Sequence, residues 1–392
     1  MVLRLLTAGE SHGPRLTAIL EGIPAGLRID PEFVDAELAR RQHGYGRGGR
    51  MKIEKDHALF EGGLRGGVTL GSPIAIGIAN RDFVNWSGVM DPLENDPAAS
   101  AERRLTRPRP GHADLAGGMK FGAKDLRDVL ERASARESAA RVAAGAVCKL
   151  LLRECDIEVR SGVLSIGSVL DGASPRSFAS LERVREDSPL RALDSAIEKR
   201  MVEAVDAAKK DGDTLGGSIL VGARGVPAGL GTYASWDRKL DSRIGAALLS
   251  IPAVKAVELG SSIEASRGPG SDAHDEIEPG QGGALRRRSN RAGGLEAGVT
   301  NGEDVIAVAY MKPLSTLARG LDSVDLETGK AARAAYERSD VTAVAACGVI
   351  AEAMLAFVLA DALLESTGGD RLEDVKSRLA MHRERVRRYP AG

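Results

Sequence analysis

A mixed α/β fold is what this sequence predicts, from three observations. Short β-like runs punctuated by Gly or Pro alternate with longer runs of helical spacing. Of the 392 residues, 43% are hydrophobic, enough for one large core or two smaller ones. Glycine is abundant at 47 residues and aromatics make up only 3%. Backbone can therefore approach a ligand closely, and a cofactor would be held mainly by backbone and aliphatic groups.

In chain order, β-like runs occupy residues 2–8, 16–21, 51–55, 74–78, 159–169, 218–223 and 305–311. Asp30-Pro31-Glu32 starts a helix, with Asp as N-cap and Pro in the first position. Residues 124–154 read as one long Ala-rich helix, and 191–210 as another that Gly212 stops. The last helices are expected over 340–364 and 371–388. The segment 341–364 is the most apolar, yet Glu352 and Asp361 interrupt it. A membrane span needs about 20 apolar residues with few charges, so a buried helix is expected. Residues 80–118 hold four prolines and many arginines and read as one long functional loop. Thr69-Leu70-Gly71-Ser72 and Thr214-Leu215-Gly216-Gly217 hint at an internal pseudo-duplication within a single domain over 1–392.

Lys and Arg total 54 against 55 Asp and Glu, a formal net charge of −1. A global basic field is missing, which argues against a nucleic-acid partner. Cys148, Cys155 and Cys347 form no CxxC pair, as expected of buried thiols in a reducing cytoplasm. Residues 1–7 are too short for a signal peptide, so neither export nor a membrane is expected.

Gly9-Glu10-Ser11-His12-Gly13 fits the G-x-S-x-G pattern of a nucleophile elbow. An elbow needs a helix after it, and here Pro14 and a β-like run follow. Gly44-Tyr45-Gly46-Arg47-Gly48-Gly49 fits G-x-G-x-x-G but follows a helix and precedes a strand, the reverse of the dinucleotide-binding order. His274-Asp275-Glu276 lacks metal-ligand spacing and reads as a solvated loop.

The arginines differ in kind. Arg40, Arg41, Arg47 and Arg50 surround one glycine loop, and Arg103, Arg104, Arg107 and Arg109 precede His112. Arg132 and Arg136 stand one helical turn apart, a repulsive pairing unless an anion lies between them. Arginine forks match phosphate and carboxylate oxygens. Any one arginine could equally be a solvated surface group, whereas clusters set among Gly and Pro favour an anion pocket. Asp340 precedes an apolar run, where an N-cap belongs. From the residues alone, the reading stops at a soluble α/β enzyme with a multi-anion site.

Taken together, the motifs resemble the chorismate synthase family from end to end. Thr7-Ala8-Gly9-Glu10-Ser11-His12-Gly13, Glu131 through Arg141, and Arg338-Ser339-Asp340-Val341 look like its three signatures. Arg47-Gly48-Gly49-Arg50-Met51, residues 105–112, Asp211 through Gly217, Asn290-Arg291-Ala292-Gly293-Gly294 and Lys312-Pro313-Leu314-Ser315-Thr316 lie between them in the family's order. The resemblance implies an α+β fold of the β-α-β sandwich type, with helices between two largely antiparallel sheets, assembled as a homotetramer. It implies loss of phosphate and a ring hydrogen from 5-enolpyruvylshikimate-3-phosphate by anti-1,4 elimination, with reduced FMN. His12 would protonate the departing phosphate, His112 would balance the reduced flavin, and Asp340 would set the protonation of its N5.

Ser11, Arg50, Arg109 and Arg136 would bind substrate, with Arg338 beside them. FMN would meet Arg132, Ala133 and Ser134, Pro252 and Ala253, Ala297, Lys312, Pro313, Leu314, Ser315 and Thr316, and Arg338. Arg41 and Arg47 match positions assigned to NADP, and NADPH or an external flavin reductase would supply reduced FMN. Ala297 stands where many relatives have glycine, and Leu314 replaces the more familiar Ile or Pro. A serine hydrolase labelled at Ser11, or a salt-sensitive RNA binder built on the arginine loops, are the competing classes.

Overall fold

The computed structural model describes residues 3–48, 55–280, 285–337 and 340–389. Arg4–Ala8 (β1) and Arg15–Glu21 (β2) pair antiparallel on either side of the first glycine turn. Pro31–Gln42 forms α1, and the Asp30 carboxylate accepts from the Phe33 amide at 3.2 Å, the expected N-cap. Leu59–Gly62 (β3), a small hairpin of Leu64–Arg65 (β4) and Val68–Thr69 (β5), and Ile74–Ala79 (β6) follow. The first sheet runs β1-β2-β6-β3 and is antiparallel throughout. The strand expected over 51–55 lies, save its last residue, outside the described residues.

Residues 80–118 are not a plain loop. They hold Ser87–Met90 (α2), Pro97–Glu102 (α3) and most of Asp114–Phe121 (α4). The helix expected over 124–154 is broken in two, Arg127–Ala133 (α5) and Ser138–Arg153 (α6). At Ser134 the backbone turns extended (ψ 141°), and the Ser134 hydroxyl accepts from the Arg136 amide at 3.3 Å. A serine that caps a new turn competes with the helix it interrupts. Arg132 and Arg136 are therefore not stacked on one helix face.

Glu158–Ile166 (β7) and Val169–Leu170 (β8) lead to Phe178–Glu182 (α7), Ser195–Lys210 (α8) and Gly217–Arg224 (β9). Leu240–Leu249 (α9), Val254–Leu259 (β10), Ser262–Ala265 (α10), Gly270–Ala273 (α11), Ile277–Pro279 (β11) and Leu285–Arg287 (β12) come next. A second small hairpin, Leu295–Glu296 (β13) and Val299–Thr300 (β14), precedes Val305–Met311 (β15). The second sheet runs β10-β15-β9-β7-β8, again antiparallel. The ribbon Asp322–Val324 (β16) and Ala331–Arg333 (β17) leads to the final helices, Val344–Thr367 (α12) and Leu372–Arg388 (α13).

Between the sheets lie the helices. The α6 helix packs on β2 and β6, α12 packs on β7 and β9, and the two helices pack on each other. Buried residues of both sheets and both helices form one continuous core. This is the β-α-β sandwich that the resemblance implies. Apart from Glu352, Asp361 and Glu365, the α12 helix is apolar all round, as suits a helix enclosed by protein. It is long and apolar enough to cross a membrane, but most of it is buried inside the protein. Close approach of α6 and α12 depends on Gly145, where a Cβ would stand 2.4 Å from the Ala353 Cβ.

The two small hairpins match residue for residue. Gly62 through Thr69 and Gly293 through Thr300 share the pattern Gly-Gly-Leu-x-x-Gly-Val-Thr. Thr69 donates its hydroxyl to the Pro24 carbonyl (2.6 Å) and accepts from the Leu27 amide (2.9 Å). Thr300 does the same with Pro227 (2.7 Å) and Leu230 (2.8 Å). The likeness thus pairs Thr69 with Thr300, while Thr214 donates to the Leu314 carbonyl at 2.7 Å. In the second hairpin Ala297 takes the left-handed place (φ +54°) that Gly66 holds (φ +58°) in the first.

Candidate active site

The first glycine turn is tied down from three directions. Gly9 sits at φ +102°, and a Cβ there would come within 2.3 Å of the Arg15 carbonyl oxygen, so only glycine fits. Asn80 donates to the carbonyls of Glu10 (3.1 Å) and Gly13 (2.7 Å). Arg132 donates to the Gly9 carbonyl (3.1 Å) and to the Thr7 carbonyl (2.8 Å) and hydroxyl (2.9 Å). Its guanidinium therefore fastens the turn.

At the centre of the turn, Glu131 organises two residues. Its carbonyl accepts from the Ser11 amide at 2.9 Å and its carboxylate from the His12 amide at 2.8 Å. Both carboxylate oxygens also lie 2.9 Å from His12 Nδ1. Burial alone would raise the Glu131 pKa, but the hydrogen bonds and charge of His12, with Arg127 behind them, hold it below the ordinary range. The Ser11 hydroxyl donates to Ser134 Oγ at 3.1 Å. A hydrolytic serine would donate to a base instead.

A buried cluster of arginines lies beside the turn. Asp56 bridges two of them, accepting from Arg136 at 2.5 Å and from Arg41 at 2.7 Å. Arg136 also donates to the Asn80 side chain at 2.9 Å. Arg41 is pushed down to about 10, chiefly by burial, with Arg136 and Arg47 adding to it and Asp56 opposing. Arginines near enough to perturb one another make a concentrated positive field, ready for an anion. Arg47 pairs with Asp340 at 2.8 Å, and Asp340 accepts from the Gly48 amide at 2.6 Å.

Asp340 is not an N-cap. The helix starts at Val344 with Ala343 in the cap position, and the Val341 backbone is bonded to the Gly46 carbonyl and the Leu215 amide, at 2.8 Å each. Arg40 is absent from this cluster and turns into the core toward Glu37 and Glu352. Arg50 and Arg338 lie outside the described residues.

The second histidine has its own frame. Arg109 grips Asp114 with Nε (2.8 Å) and Nη2 (3.0 Å), and Thr316 with Nη1 (2.9 Å). His112 Nδ1 lies 2.6 Å from the same Asp114 carboxylate. Burial would raise the Asp114 pKa, yet His112 and Arg109 together hold it far below the carboxylate range. Arg109, expected to grip substrate, is occupied chiefly in holding Asp114 and Thr316.

Across from Gly111 stand Lys312, whose Nζ is 3.5 Å from where a Gly111 Cβ would be, and Ser315. The Lys312 amide donates to the Ala253 carbonyl at 2.9 Å, which brings Pro252 and Ala253 to the same edge. Pro313 packs on Gly216, where a Cβ would clash at 2.8 Å with its nitrogen. Leu314 offers its carbonyl to Thr214, so the residue 211–217 motif joins the Lys312–Thr316 segment to Val341.

Ala297 is the exception. Its turn packs on Leu240 at the N-terminal end of α9, whereas Ala253 follows the C-terminal end. A ten-residue helix separates those ends by about 15 Å. Within one chain the structure does not bring Ala297 to the others.

Four residues at these centres escaped the sequence reading: Glu131, Asp114, Asp56 and Asn80. Asp114 was in view, two residues after His112. Glu131 stood inside a quoted motif, but a lone helical carboxylate reads as a solvated face, and its partner lies 119 residues away.

Two histidines fixed by buried carboxylates, beside a buried arginine cluster, define an acid–base enzyme for an anionic substrate. The chorismate synthase family profile matches residues 3–364. Chorismate synthase of Geobacillus thermodenitrificans is 52% identical over 390 residues, covering 99% of each chain. That of Salinispora tropica is 54% identical over 385 residues, covering 97% of this chain and 98% of its own. A crystal structure of chorismate synthase superposes with a TM-score of 0.79 at 41% identity, covering 99% of each chain. The chain belongs to the chorismate synthase family and is a lyase.

Proposed function

We propose that this chain converts 5-enolpyruvylshikimate-3-phosphate to chorismate and phosphate by anti-1,4 elimination, the last common step of aromatic amino-acid biosynthesis. The C–O bond to phosphate breaks, a ring C–H bond breaks with its hydrogen leaving as a proton that balances the one the phosphate takes up, and a second ring double bond forms, so the electrons balance without net oxidation. The observation that carries the reading is His12: its Nδ1 is occupied by Glu131, its Nε2 has no hydrogen-bond partner among the described residues, and the arginine cluster adjoins it through Asn80. Arg136, Arg41 and Arg47 attract the phosphate and carboxylates, and His12 protonates the phosphate as it leaves. A positioned acid contributes about 10²–10⁴-fold.

The residues at the second histidine fit reduced FMN. Lys312 places its ammonium beside Gly111, next to His112, and Ala253 adopts φ +68°, a left-handed backbone. When bound there, the flavin would transiently donate electron density to the substrate and recover it. Lys312, Ser315, Thr316, Ala253 and His112 would hold it, while Ser134 and Arg132 secure the neighbouring turn. Lys312 is lowered by burial and by Lys255, so a bound anion would be favoured. Asp340, gripped by Arg47 and Gly48, would orient the loop between substrate and flavin. Arg41 and Arg47 serve the substrate field in this reading, ahead of NADP. The functional unit is one domain over 1–392 with two like halves, assembled as a homotetramer in the cytoplasm and supplied with reduced FMN by an external reductase.

The test is anaerobic: the purified chain, 5-enolpyruvylshikimate-3-phosphate and chemically reduced FMN, with chorismate and phosphate followed together. Equal release of both is expected, and no turnover would sink the assignment. His12→Ala and His112→Ala should each slow turnover at least tenfold with unchanged circular dichroism. Replacing reduced FMN with NADPH and oxidised FMN should give no reaction unless a reductase is added.

A further inference from the structure

His12 is held on two sides. A carboxylate only accepts, so with both Glu131 oxygens 2.9 Å from Nδ1 that nitrogen carries a proton. On its face, the ring stacks on Trp86, centroids 4.1 Å apart and planes 22° from parallel. Trp86 is in turn covered by the Arg103 guanidinium, 4.1 Å from the ring centroid, and by Arg127 at 5.0 Å. Arg127 also donates to Glu131 at 3.2 Å, so one arginine joins the group beneath the imidazole to the group on its face.

We infer that Glu131 and Trp86 are positioning residues for His12, aiming Nε2 at the departing oxyanion. The inference rests on the reading of His12 as the proton donor. An imidazole turning freely about its side-chain bonds would present either nitrogen. A carboxylate on Nδ1 fixes the orientation. The indole stops the ring from tilting and excludes water from that face. Among the described residues, the charged groups around the ring are Glu131 and Arg127 from α5, Arg103 at the end of α3, Glu337 bonded to Arg127 at 3.0 Å, and Glu10 in the same turn.

Two tryptophans occur in the chain, Trp86 and Trp236, and Trp236 is 82% exposed and away from this site. In a Trp236→Phe background the indole emission therefore reports Trp86 alone. A protonated imidazole quenches a stacked indole, so emission should rise as pH is raised through loss of the His12 proton. That rise should vanish in His12→Asn and move to lower pH in Glu131→Gln. In the anaerobic assay, Glu131→Gln should lower kcat about 10–100-fold, within the span of a positioned acid, and move the alkaline limb of the kcat/KM profile to lower pH. Glu131→Asp should restore part of the rate. Trp86→Leu should lower kcat about tenfold with little change in KM, and Trp86→Phe should recover most of it.

An emission profile unchanged by His12→Asn, or wild-type rates and pH limbs in both Glu131→Gln and Trp86→Leu, would overturn the inference. If His12→Ala kept full activity, the proton-donor reading would fall as well. A slow His12→Ala beside unaffected positioning variants would leave that reading standing and remove this one alone. The titration needs no variant at residue 131, so poor folding of Glu131→Gln leaves the stacked pair testable.

Discussion

At the scale of single residues, the two histidines share one feature, a buried carboxylate on Nδ1. Glu131 serves His12 and Asp114 serves His112. Asp114 also accepts from the Arg109 amide at 3.1 Å and from two nitrogens of its guanidinium. Replacing the carboxylate by an amide leaves the shape but removes the negative charge that holds both His112 and Arg109. Asp114→Asn should therefore lower kcat by tenfold or more, of the order set by a lost acid–base orientation, with KM changed less than threefold. Steady-state kinetics with saturating reduced FMN separates the two. A rise in KM at constant kcat would show that Asp114 serves binding through Arg109 instead. His12 and His112 were legible in the sequence through the family resemblance of the motifs that hold them. Their carboxylates were not, since nothing local tells a buried partner from a solvated charge.

At the scale of elements, the strands were read within a residue or two where β-branched runs are bounded by Gly or Pro, as with Ile74–Ala79 and Val305–Met311. The Leu59–Gly62 and Val254–Leu259 strands were missed, being short and mixed with charge. The helix break at Ser134 was also missed, because Ala and Arg on both sides are good helix formers and the cause is a capping hydroxyl. That break separates Glu131 and Arg132, which face the turn, from Arg136, which faces Asp56. A second element-level constraint is the α6–α12 contact. At Gly145, alanine would gain about 1 kcal/mol of helix propensity. Its Cβ would also stand 2.6 Å from the Ala353 backbone, which cannot swing aside. Overpacking of this kind costs about 1–3 kcal/mol, so packing wins. Gly145→Ala should lower the urea midpoint, and a midpoint above wild type would mean that the helices can separate cheaply.

At the scale of the whole molecule, the sandwich closes around a charge cluster rather than a wholly apolar centre. Glu352 is fully buried in α12 and accepts from Arg40 (2.9 Å), Lys149 (2.7 Å), Ser161 (2.7 Å) and Arg191 (3.2 Å). Glu37 of α1 adds a second carboxylate, 2.8 Å from Lys149. The cluster thus links α1, α6, β7, α12 and the 185–192 segment. Tyr45, beside the arginine loop, hangs from that segment through the Pro189 carbonyl at 2.8 Å. Burial opposes the Glu352 charge, but Lys149, Arg40 and Arg191 outweigh it and hold its pKa well below the carboxylate range. A carboxyl group depressed on folding stabilises the native state fully above its unfolded pKa of about 4.3. That contribution is lost as pH falls through the lower native value. Removing one member of such a group leaves buried charges unmatched, at about 3–5 kcal/mol. Glu352→Gln should be destabilised by that order at pH 7, and the gap from wild type should narrow as pH falls below about 4. Urea unfolding at fixed protein concentration, repeated at pH 7, 5 and 3.5, reads this directly. A gap that stays constant to pH 3.5 would show that the Glu352 charge is not what holds the two halves together.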